Sequence, residues 1–212
     1  MILFLDVVSP LPEFSLIEDN KIIFSKKILT NSMDKMSDHL IPTYIKLEKK
    51  FSLDKKLNLL VTNTGPGSYT ALRIGISFLS GLSIAQNINL IGLSCIDLFC
   101  YKVRNEELRS SLIYIISSNN QQFVCLYSVK KNKYIIHKVE NNDNQFELHK
   151  LPIKNIFTNS NLLKKKLNFL NNIKCNTISF HELVNQNIKQ IISLPKQDII
   201  KPIYISNNKI LN

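Results

Sequence analysis

All five glycines of this 212-residue chain lie in one window, between Gly65 and Gly92. Glycine is used where the backbone needs a positive φ angle or where two backbones approach closely. The run Gly65-Pro66-Gly67-Ser68 predicts a sharp turn from a strand into a helix, which Ser68 or Thr70 could cap. This turn therefore constrains the fold more strongly than any other part of the chain.

The helix predicted after the turn, from about Ser68 to Ala85, combines a stripe of small residues with an otherwise apolar surface. Ser77, Gly81 and Ala85 recur every four residues, so they lie on one face and let another element pack closely. A helix that is apolar on all sides must be buried by its own fold or by a partner. The pattern favours a subunit interface on this helix.

The apolar segments predict an order of three strands followed by alternating helices and strands, and then a second, weaker copy of that order. In the first copy the strands are 1–8, 13–18, 21–29, 58–62 and 89–94, and the helices are 37–51, 68–85 and 96–103. In the second copy the strands are 111–117, 123–129, 134–139 and 153–157, and the helices are 162–170 and 182–193. Such an order implies mixed sheets with helices packed on them.

Duplication of this unit is the architecture of the actin-like ATPase superfamily, which has a ribonuclease H-like fold. We therefore predict an α/β chain with two subdomains, each a mixed sheet flanked by helices. The N-terminal subdomain is expected at residues 1–105 and would carry the partner-binding helices. The C-terminal, degenerate subdomain is expected at residues 106–212.

Several classes of protein are disfavoured by the sequence. No apolar run reaches the roughly 18 residues of a membrane helix, and the run from Met1 to Val8 contains Asp6 and lacks the basic flank of a secretory signal. We therefore expect a cytoplasmic protein. The four cysteines form no CxxC pair, and no two of the four histidines are four residues apart, so the spacing indicates no metal site.

The formal net charge of +11 raises the alternative of an RNA-binding module that acts alone. Only three of the 27 basic residues are arginines, and the lysines are spread along the chain. Tyr127, Tyr134 and Phe146 alternate like strand core residues, whereas single-strand binding uses aromatic side chains as stacking platforms. The charge therefore favours a solvated surface, which would still allow weak, salt-sensitive contact with RNA.

Actin-like ATPases hold nucleotide phosphates on a tight turn after the first strand of each half. The first such turn here is Asp6-Val7-Val8-Ser9-Pro10, in which two residues are β-branched and the proline lacks an N–H donor. The second is Ile116-Ser117-Ser118-Asn119, which lacks the carboxylate that magnesium-assisted phosphoryl transfer needs. We interpret both as degenerate phosphate turns, marked by Asp6, Ser9, Ser117 and Asn119. A divergent ATP-binding enzyme of this superfamily stays open as the alternative.

The segment from Thr64 to Gly75, TGPGSYTALRIG, resembles the GPGSFTGLRIG signature of the bacterial TsaB (YeaZ) and TsaD families. Tyr69 stands at a phenylalanine position and Ala71 at a glycine position of that signature. Weaker similarity to family motifs is present at Leu40-Ile41-Pro42, at Leu90 to Ser94, and at Pro202 to Ile205, where Ser206 replaces an arginine. The signature turn consists of Gly65, Pro66, Gly67, Ser68, Thr70 and Gly75.

The resemblance to the TsaB family implies a non-catalytic subunit that is required for the N6-threonylcarbamoyladenosine (t6A) modification of adenosine 37 in tRNA. It implies that the chain scaffolds and activates a TsaD-like catalytic subunit, together with a TsaE-like ATPase. The TsaD relative carries a His-x3-His metal pair that this chain lacks. No cofactor is expected on this chain alone, and ATP and a divalent metal are expected only in the wider complex.

The same resemblance implies a partner interface on the two main N-terminal helices, and without its partner the chain could pair with a second copy through them. Contact with tRNA is expected to be indirect or weak. The expected interface residues are Tyr44, Leu47, Ser68, Tyr69, Arg73, Ser77 and Gly81.

Overall fold

The computed structural model describes residues 1–29, 31, 34–102, 111–128, 133–139, 153–161, 173–197, 199–206 and 209–211. Two five-stranded mixed sheets are present, and helices flank them. Both sheets have the same strand order: the second and third strands of each half lie on one side of its first strand, and the fourth and fifth lie on the other. The prediction of a duplicated actin-like fold is therefore confirmed.

The first sheet is built around two parallel central strands. Its strands are β1 (Ile2–Asp6), β2 (Glu13–Glu18), β3 (Lys21–Lys27), β4 (Leu59–Asn63) and β5 (Asn89–Leu93). β1 pairs antiparallel with β2 and parallel with β4. Every residue of β1 and β4 is buried, as expected for central strands that are covered on both faces.

The second sheet is the duplicate of the first. Its strands are β6 (Ser111–Ile116), β7 (Gln122–Ser128), β8 (Lys133–Val139), β9 (Asn155–Thr158) and β10 (Lys174–Thr177), followed by a hairpin of β11 (Tyr204–Ser206) and β12 (Lys209–Leu211). A 3-10 turn, Ser118–Asn120, links β6 to β7. β10 was not predicted, because its residues KCNT lack the apolar run of a buried strand. The helix predicted at 162–170 lies outside the described residues.

The three helices predicted in the first half lie within two residues of their predicted bounds, whereas the short helix at Leu53–Lys56 was not predicted. The described helices are α1 (Met36–Phe51), α2 (Leu53–Lys56), α3 (Tyr69–Gln86), α4 (Cys95–Lys102), α5 (Phe180–Gln186) and α6 (Ile188–Ile192). The single helix predicted at 182–193 is wrong, since it starts earlier and breaks at Asn187. The side chain of Asn187 donates a hydrogen bond to the carbonyl oxygen of Leu183 at 2.7 Å, and such bonds compete with the helical backbone.

Aromatic side chains fix α1 and α3 onto the first sheet. The ring of Tyr44 on α1 lies 5.2 Å from that of Phe78 on α3 and 6.3 Å from that of Phe14 on β2. Burial, with the nearby charge of Glu48, raises the pKa of Tyr44 to about 12. The two helices are therefore neighbours that share one aromatic cluster.

The C-terminal residues return to the first sheet. Phe180 on α5 packs against Phe99 on α4, with ring centroids 5.8 Å apart. Further along, the side chain of Gln197 accepts a hydrogen bond from the backbone N–H of Gly92 and donates one to its carbonyl oxygen. The predicted subdomain boundary at 105 and 106 lies outside the described residues, but α5 packs with β1 and β3, and Gln197 is bonded to Gly92, in the first half of the chain.

The start of α5 offers a first stability prediction. The hydroxyl and the backbone N–H of Ser179 both donate to Glu182 Oε2, at 2.7 and 3.0 Å, and these bonds lower the pKa of Glu182. We expect Ser179→Ala to reduce the free energy of unfolding by about 1 kcal/mol at neutral pH.

The pH dependence of that loss follows from the lowered pKa. A carboxyl group whose pKa is lower in the folded state stabilises the fold above its unfolded pKa. That contribution disappears as the pH falls through the folded pKa. The difference between Ser179→Ala and the native chain should therefore shrink in acid, as measured by urea unfolding. Ser193→Ala, which removes a hydroxyl bonded to the carbonyl oxygen of Gln190, is the control, and a loss of stability that is the same at every pH would contradict the expectation.

Candidate functional site

The glycine-rich turn has the sharp geometry that the sequence predicts. Gly65 has a φ of +108°, and a Cβ atom there would lie 2.8 Å from the carbonyl oxygen of Ile203. Ile203 in turn donates its N–H to the carbonyl oxygen of Thr64 at 2.7 Å. Glycine is therefore required at position 65 by its backbone angle and by the C-terminal segment that crosses the turn.

Ser68 occupies the N-cap position of α3, but its side chain makes no capping hydrogen bond. Its backbone N–H donates instead to the Oγ of Ser117 at 2.9 Å. Thr70 is exposed in the first turn of the helix. The predicted hydroxyl cap is therefore replaced by a bond between α3 and the second degenerate phosphate turn.

The first degenerate phosphate turn is closed by its own carboxylate. Oδ1 of Asp6 accepts hydrogen bonds from the N–H groups of Val8 and Ser9 at 2.9 and 3.0 Å. It also accepts one from the side-chain amide of Asn63 at 2.7 Å. Asp6 is 3% exposed, so this carboxylate is buried with its backbone partners. In an actin-like ATPase the N–H groups of this turn bind a phosphate, whereas here they are hydrogen-bonded to Asp6.

Valine side chains fill the space beside this turn. A Cβ atom on Gly75 would lie 2.1 Å from Cγ1 of Val7, and one on Gly67 would lie 3.1 Å from Cγ2 of Val8. Both valines are fully buried. Gly75 therefore gives α3 the room to pack against Val7.

The second turn is bonded to the first. The N–H of Ser118 donates to the carbonyl oxygen of Val8 at 3.2 Å, and Ser9 Oγ accepts a bond from the side-chain amide of Asn159 at 3.3 Å. Asn119 lies in the 3-10 turn, but its side chain is not among those described. Of the four marker residues, the structure therefore brings Asp6 and Ser9 next to the turn that carries Ser117.

Two asparagines that were not among the predicted site residues organise these turns. Asn63, which ends β4, accepts a bond from the N–H of Val7, and Asn159, which follows β9, accepts one from the N–H of Ile116. A signal for them was present, because Leu59–Asn63 reads LLVTN and Asn155–Asn159 reads NIFTN. The duplicated fold places the two Thr-Asn pairs at equivalent strand ends.

This arrangement does not fit a bound nucleotide. The backbone donors of the first turn bind Asp6, the oxygen of Ser117 binds α3, and valine methyl groups occupy the adjoining space. Among the residues described, no three His, Cys, Asp or Glu side chains are grouped so that they could hold a metal ion. Burial also raises the pKa of the Cys95 and Cys125 thiols, which keeps both protonated and poorly nucleophilic.

The predicted interface residues of α1 are part of the chain's own core. Tyr44 is 5% exposed and Leu47 is 3% exposed, because their helical stripe faces the sheet. The exposed apolar residues of α1 are Ile41 and Ile45, at 54% and 42%. The prediction that Tyr44 and Leu47 present their side chains to a partner is therefore corrected, and the adjacent stripe forms the surface.

The predicted small-residue stripe of α3 lies on the surface. Ser77, Gly81 and Ala85 are exposed, and a Cβ atom on Gly81 would have no atom within 4 Å. Ile84 beside them is 83% exposed. The exposed residues Ile41 and Ile45 of α1 and Ser77, Gly81 and Ile84 of α3 are called the helical surface below.

Tyr69 and Arg73 lie at the other end of α3, beside the C-terminal segment. The Arg73 Cζ atom is 3.9 Å from the centroid of the Tyr69 ring, and Nε of Arg73 donates to the Tyr204 hydroxyl at 3.2 Å. The predicted interface residues are thus distributed over the core, the turn, the helical surface and this cluster. Within the described part of the chain, no helix is both long and apolar enough to cross a membrane.

Comparison with solved structures supports the architecture. A structure from Pseudomonas aeruginosa, described as an uncharacterized protein with similarity to peptidase YEAZ, has a TM-score of 0.60 at 12% sequence identity and covers 97% of this chain and 99% of that chain. YeaZ from Pseudomonas aeruginosa has a TM-score of 0.57 at 12% identity, with coverage of 96% and 99%. At this level of identity the two structures establish the fold alone.

Comparison of sequences gives the family. The tRNA threonylcarbamoyladenosine biosynthesis protein TsaB of Buchnera aphidicola subsp. Baizongia pistaciae (strain Bp) is 30% identical in an alignment 108 residues long, which covers 46% of this chain and 49% of that protein. The match therefore spans about half the length of this relative. The family model described as "TsaD: tRNA N6-adenosine threonylcarbamoyltransferase" matches residues 30–208. Because that model covers most of the chain, the chain belongs to the family it describes, as a TsaB (YeaZ) family member.

Proposed function

We propose that this chain is a non-catalytic subunit in the t6A modification of adenosine 37 in tRNA, and that it acts in the cytoplasm. It binds a TsaD-like catalytic subunit, scaffolds and activates it, and works together with a TsaE-like ATPase. The names of the matched family and of the Buchnera relative support the pathway. Contact of this chain with tRNA is weak or indirect.

The observation that carries the docking role is the open stripe on α3. Ser77, Gly81 and Ile84 lie on an exposed face, whereas Leu72, Ile76 and Leu79 fill the core on the other side of the same helix. A glycine in mid-helix costs stability relative to alanine, and none of the residues that the structure describes packs where the Cβ of Gly81 is missing. A close-packing partner helix would use it, and burying Ile84 would remove a large apolar side chain from water.

Co-purification tests this proposal. The chain and the TsaD-like protein of the same organism should elute together, and tRNA modification in vitro should require both with the TsaE-like ATPase. The control is a reaction that contains the TsaD-like protein and the TsaE-like ATPase but lacks this chain. If the two proteins elute separately and modification proceeds equally without this chain, the proposal is wrong.

We further propose that this chain binds no nucleotide on its own and that ATP and a divalent metal enter through the wider complex. The closed turn at Asp6 and the valine packing at Gly75 support this. Isothermal titration of the purified chain with ATP and Mg²⁺ at millimolar concentration should give no saturable heat. The TsaE-like ATPase under the same conditions is the positive control. Saturable binding with turnover would favour the alternative of a divergent ATP-binding enzyme.

Without its partner, the chain would use the same helical surface to pair with a second copy. Such a contact would be isologous, because both copies present the same patch. The apolar residues Ile41, Ile45 and Ile84 give that contact its driving force. A homodimer formed in this way would compete with the TsaD-like subunit, so adding that subunit should convert the homodimer into a heterodimer.

A further inference from the structure

Arg73 is the one charged residue on α3, whose sequence is YTALRIGISFLSGLSIAQ. The guanidinium lies over the ring of Tyr69, with 3.9 Å from Cζ to the ring centroid, and 5.8 Å from the ring of Tyr204. The two tyrosine rings are themselves 4.6 Å apart. A cation held against aromatic faces loses rotamer freedom before any ligand arrives.

The fold holds the second tyrosine firmly in place. The backbone of Ile203 is bonded to Thr64, and Tyr204 then accepts the hydrogen bond from Nε of Arg73 at 3.2 Å. That bond uses one of the five N–H donors of the guanidinium. No acidic side chain among the described residues pairs with Arg73, so its terminal N–H groups have no partner there.

A depression of about 420 Å³ adjoins this arginine. Its lining is mixed, with apolar walls from Ile76, Ile200 and Pro202 and polar groups from Arg73, Ser77, Ser80 and Tyr204. Apolar walls lower the local dielectric constant and so strengthen an ionic interaction that forms inside. The depression shares Ser77 with the helical surface, so a partner on that surface reaches both.

We propose that this depression receives an acidic side chain of the TsaD-like subunit and that Arg73 binds its carboxylate in a bidentate manner. The proposal rests on the proposed function and adds a chemical anchor to it. A guanidinium presents two parallel N–H donors that match the two oxygens of a carboxylate. Ser77 and Ser80 supply further hydroxyl donors beside the same group.

The charge pattern favours a protein carboxylate over an RNA phosphate. Binding to a nucleic-acid backbone relies on several cations that contact successive phosphates. Apart from Arg73, α3 carries no charged residue. Lys201 is the lysine nearest to Tyr204 in sequence, and it does not line the depression. A single arginine among apolar walls suits one carboxylate inside an otherwise apolar interface.

The test compares affinities for the TsaD-like subunit by isothermal titration. We expect Arg73→Gln to weaken binding about 10- to 100-fold, the range for a charge-assisted hydrogen-bonded pair. Arg73→Lys should recover only part of the loss, because an ammonium lacks the planar fork. Lys189→Gln on α6 removes the same charge from an exposed position and should bind like the native chain. Thermal unfolding of each variant checks that the fold is intact.

Three other outcomes would each contradict the carboxylate anchor or the proposed function. Equal affinity of Arg73→Gln and the native chain would overturn the carboxylate anchor and leave the proposed function standing. If Arg73→Gln keeps full affinity for the TsaD-like subunit while the complex loses affinity for tRNA, the depression is a phosphate site and the inference is wrong. If the native chain itself fails to bind the TsaD-like subunit, the proposed function fails as well.

Discussion

Replacing Gly75 with alanine should reduce the free energy of unfolding by about 3 kcal/mol, the upper range for overpacking a buried site. The added Cβ would lie 2.1 Å from Cγ1 and 3.2 Å from Cβ of Val7, and 3.4 Å from Cδ2 of Leu5. Val7 cannot move aside, since it is fully buried and a β-branched side chain has few χ1 rotamers. Urea unfolding at neutral pH measures the loss.

The matched control is the same substitution six residues further along the same helix. A Cβ atom on Gly81 would meet no atom within 4 Å, so Gly81→Ala should stabilise the chain by about 0.5 to 1 kcal/mol, the ordinary gain of alanine over glycine in a helix. The two substitutions therefore have opposite expected signs. Equal effects of both would show that the packing at Val7 is not responsible.

A second substitution makes the cause specific. Val7→Ala removes the methyl groups that the new Cβ would strike, so the Gly75→Ala, Val7→Ala double variant should be more stable than the sum of the two single losses predicts. Residues in direct contact show such non-additivity, whereas distant residues do not. Additive losses would contradict the assigned contact.

The same pair explains why the first phosphate turn is closed. An actin-like ATPase needs an open turn with free N–H groups, but here a valine occupies the turn because α3 offers a glycine to receive it. Asp6 then bonds the N–H groups of Val8 and Ser9, which would otherwise be unpaired in a buried site. The packing between Val7 and Gly75 and the capping by Asp6 therefore act together to keep this turn closed.

Local signals made the first half of the fold predictable. The glycine cluster indicated the turn at Gly65 and the start of α3, because few other residues accept a φ of +108° there. Helical spacing likewise predicted α1. The break at Asn187 could not be predicted with the same ease, since it depends on a side-chain bond to Leu183 that competes with an otherwise acceptable helical pattern.

The site was harder to predict, because it depends on tertiary packing. Periodicity identified the stripe of Tyr44 and Leu47 but did not say whether that stripe faces the sheet or a partner, and it faces the sheet. The Tyr69, Arg73 and Tyr204 cluster joins residues 131 positions apart, a contact that no local pattern reports. The small-residue stripe of α3 was predicted from helical spacing, and the repeated Thr-Asn pairs at Asn63 and Asn159 could have been identified once the duplication of the fold was recognised.

Gly81→Gln should abolish the close approach of a partner helix and lower affinity for the TsaD-like subunit at least ~100-fold, or about 2.7 kcal/mol. Glutamine is a good helix former, and the open space around position 81 leaves the chain's own packing untouched. The loss would therefore come from a long polar side chain placed where two helices are meant to meet. Isothermal titration measures the affinity, and thermal unfolding should show a stability no lower than that of the native chain.

Gly81→Ala is the intermediate variant for this experiment, because a single methyl group separates the two helices less than a glutamine side chain does. It should bind more weakly than the native chain and more tightly than Gly81→Gln. Ile84→Glu provides an independent test of the same surface, since it places a charge where an apolar side chain that is 83% exposed in the free chain should become buried. If all three variants bind the TsaD-like subunit as the native chain does, docking does not use the exposed face of α3, and the partner must be sought on another face of the molecule.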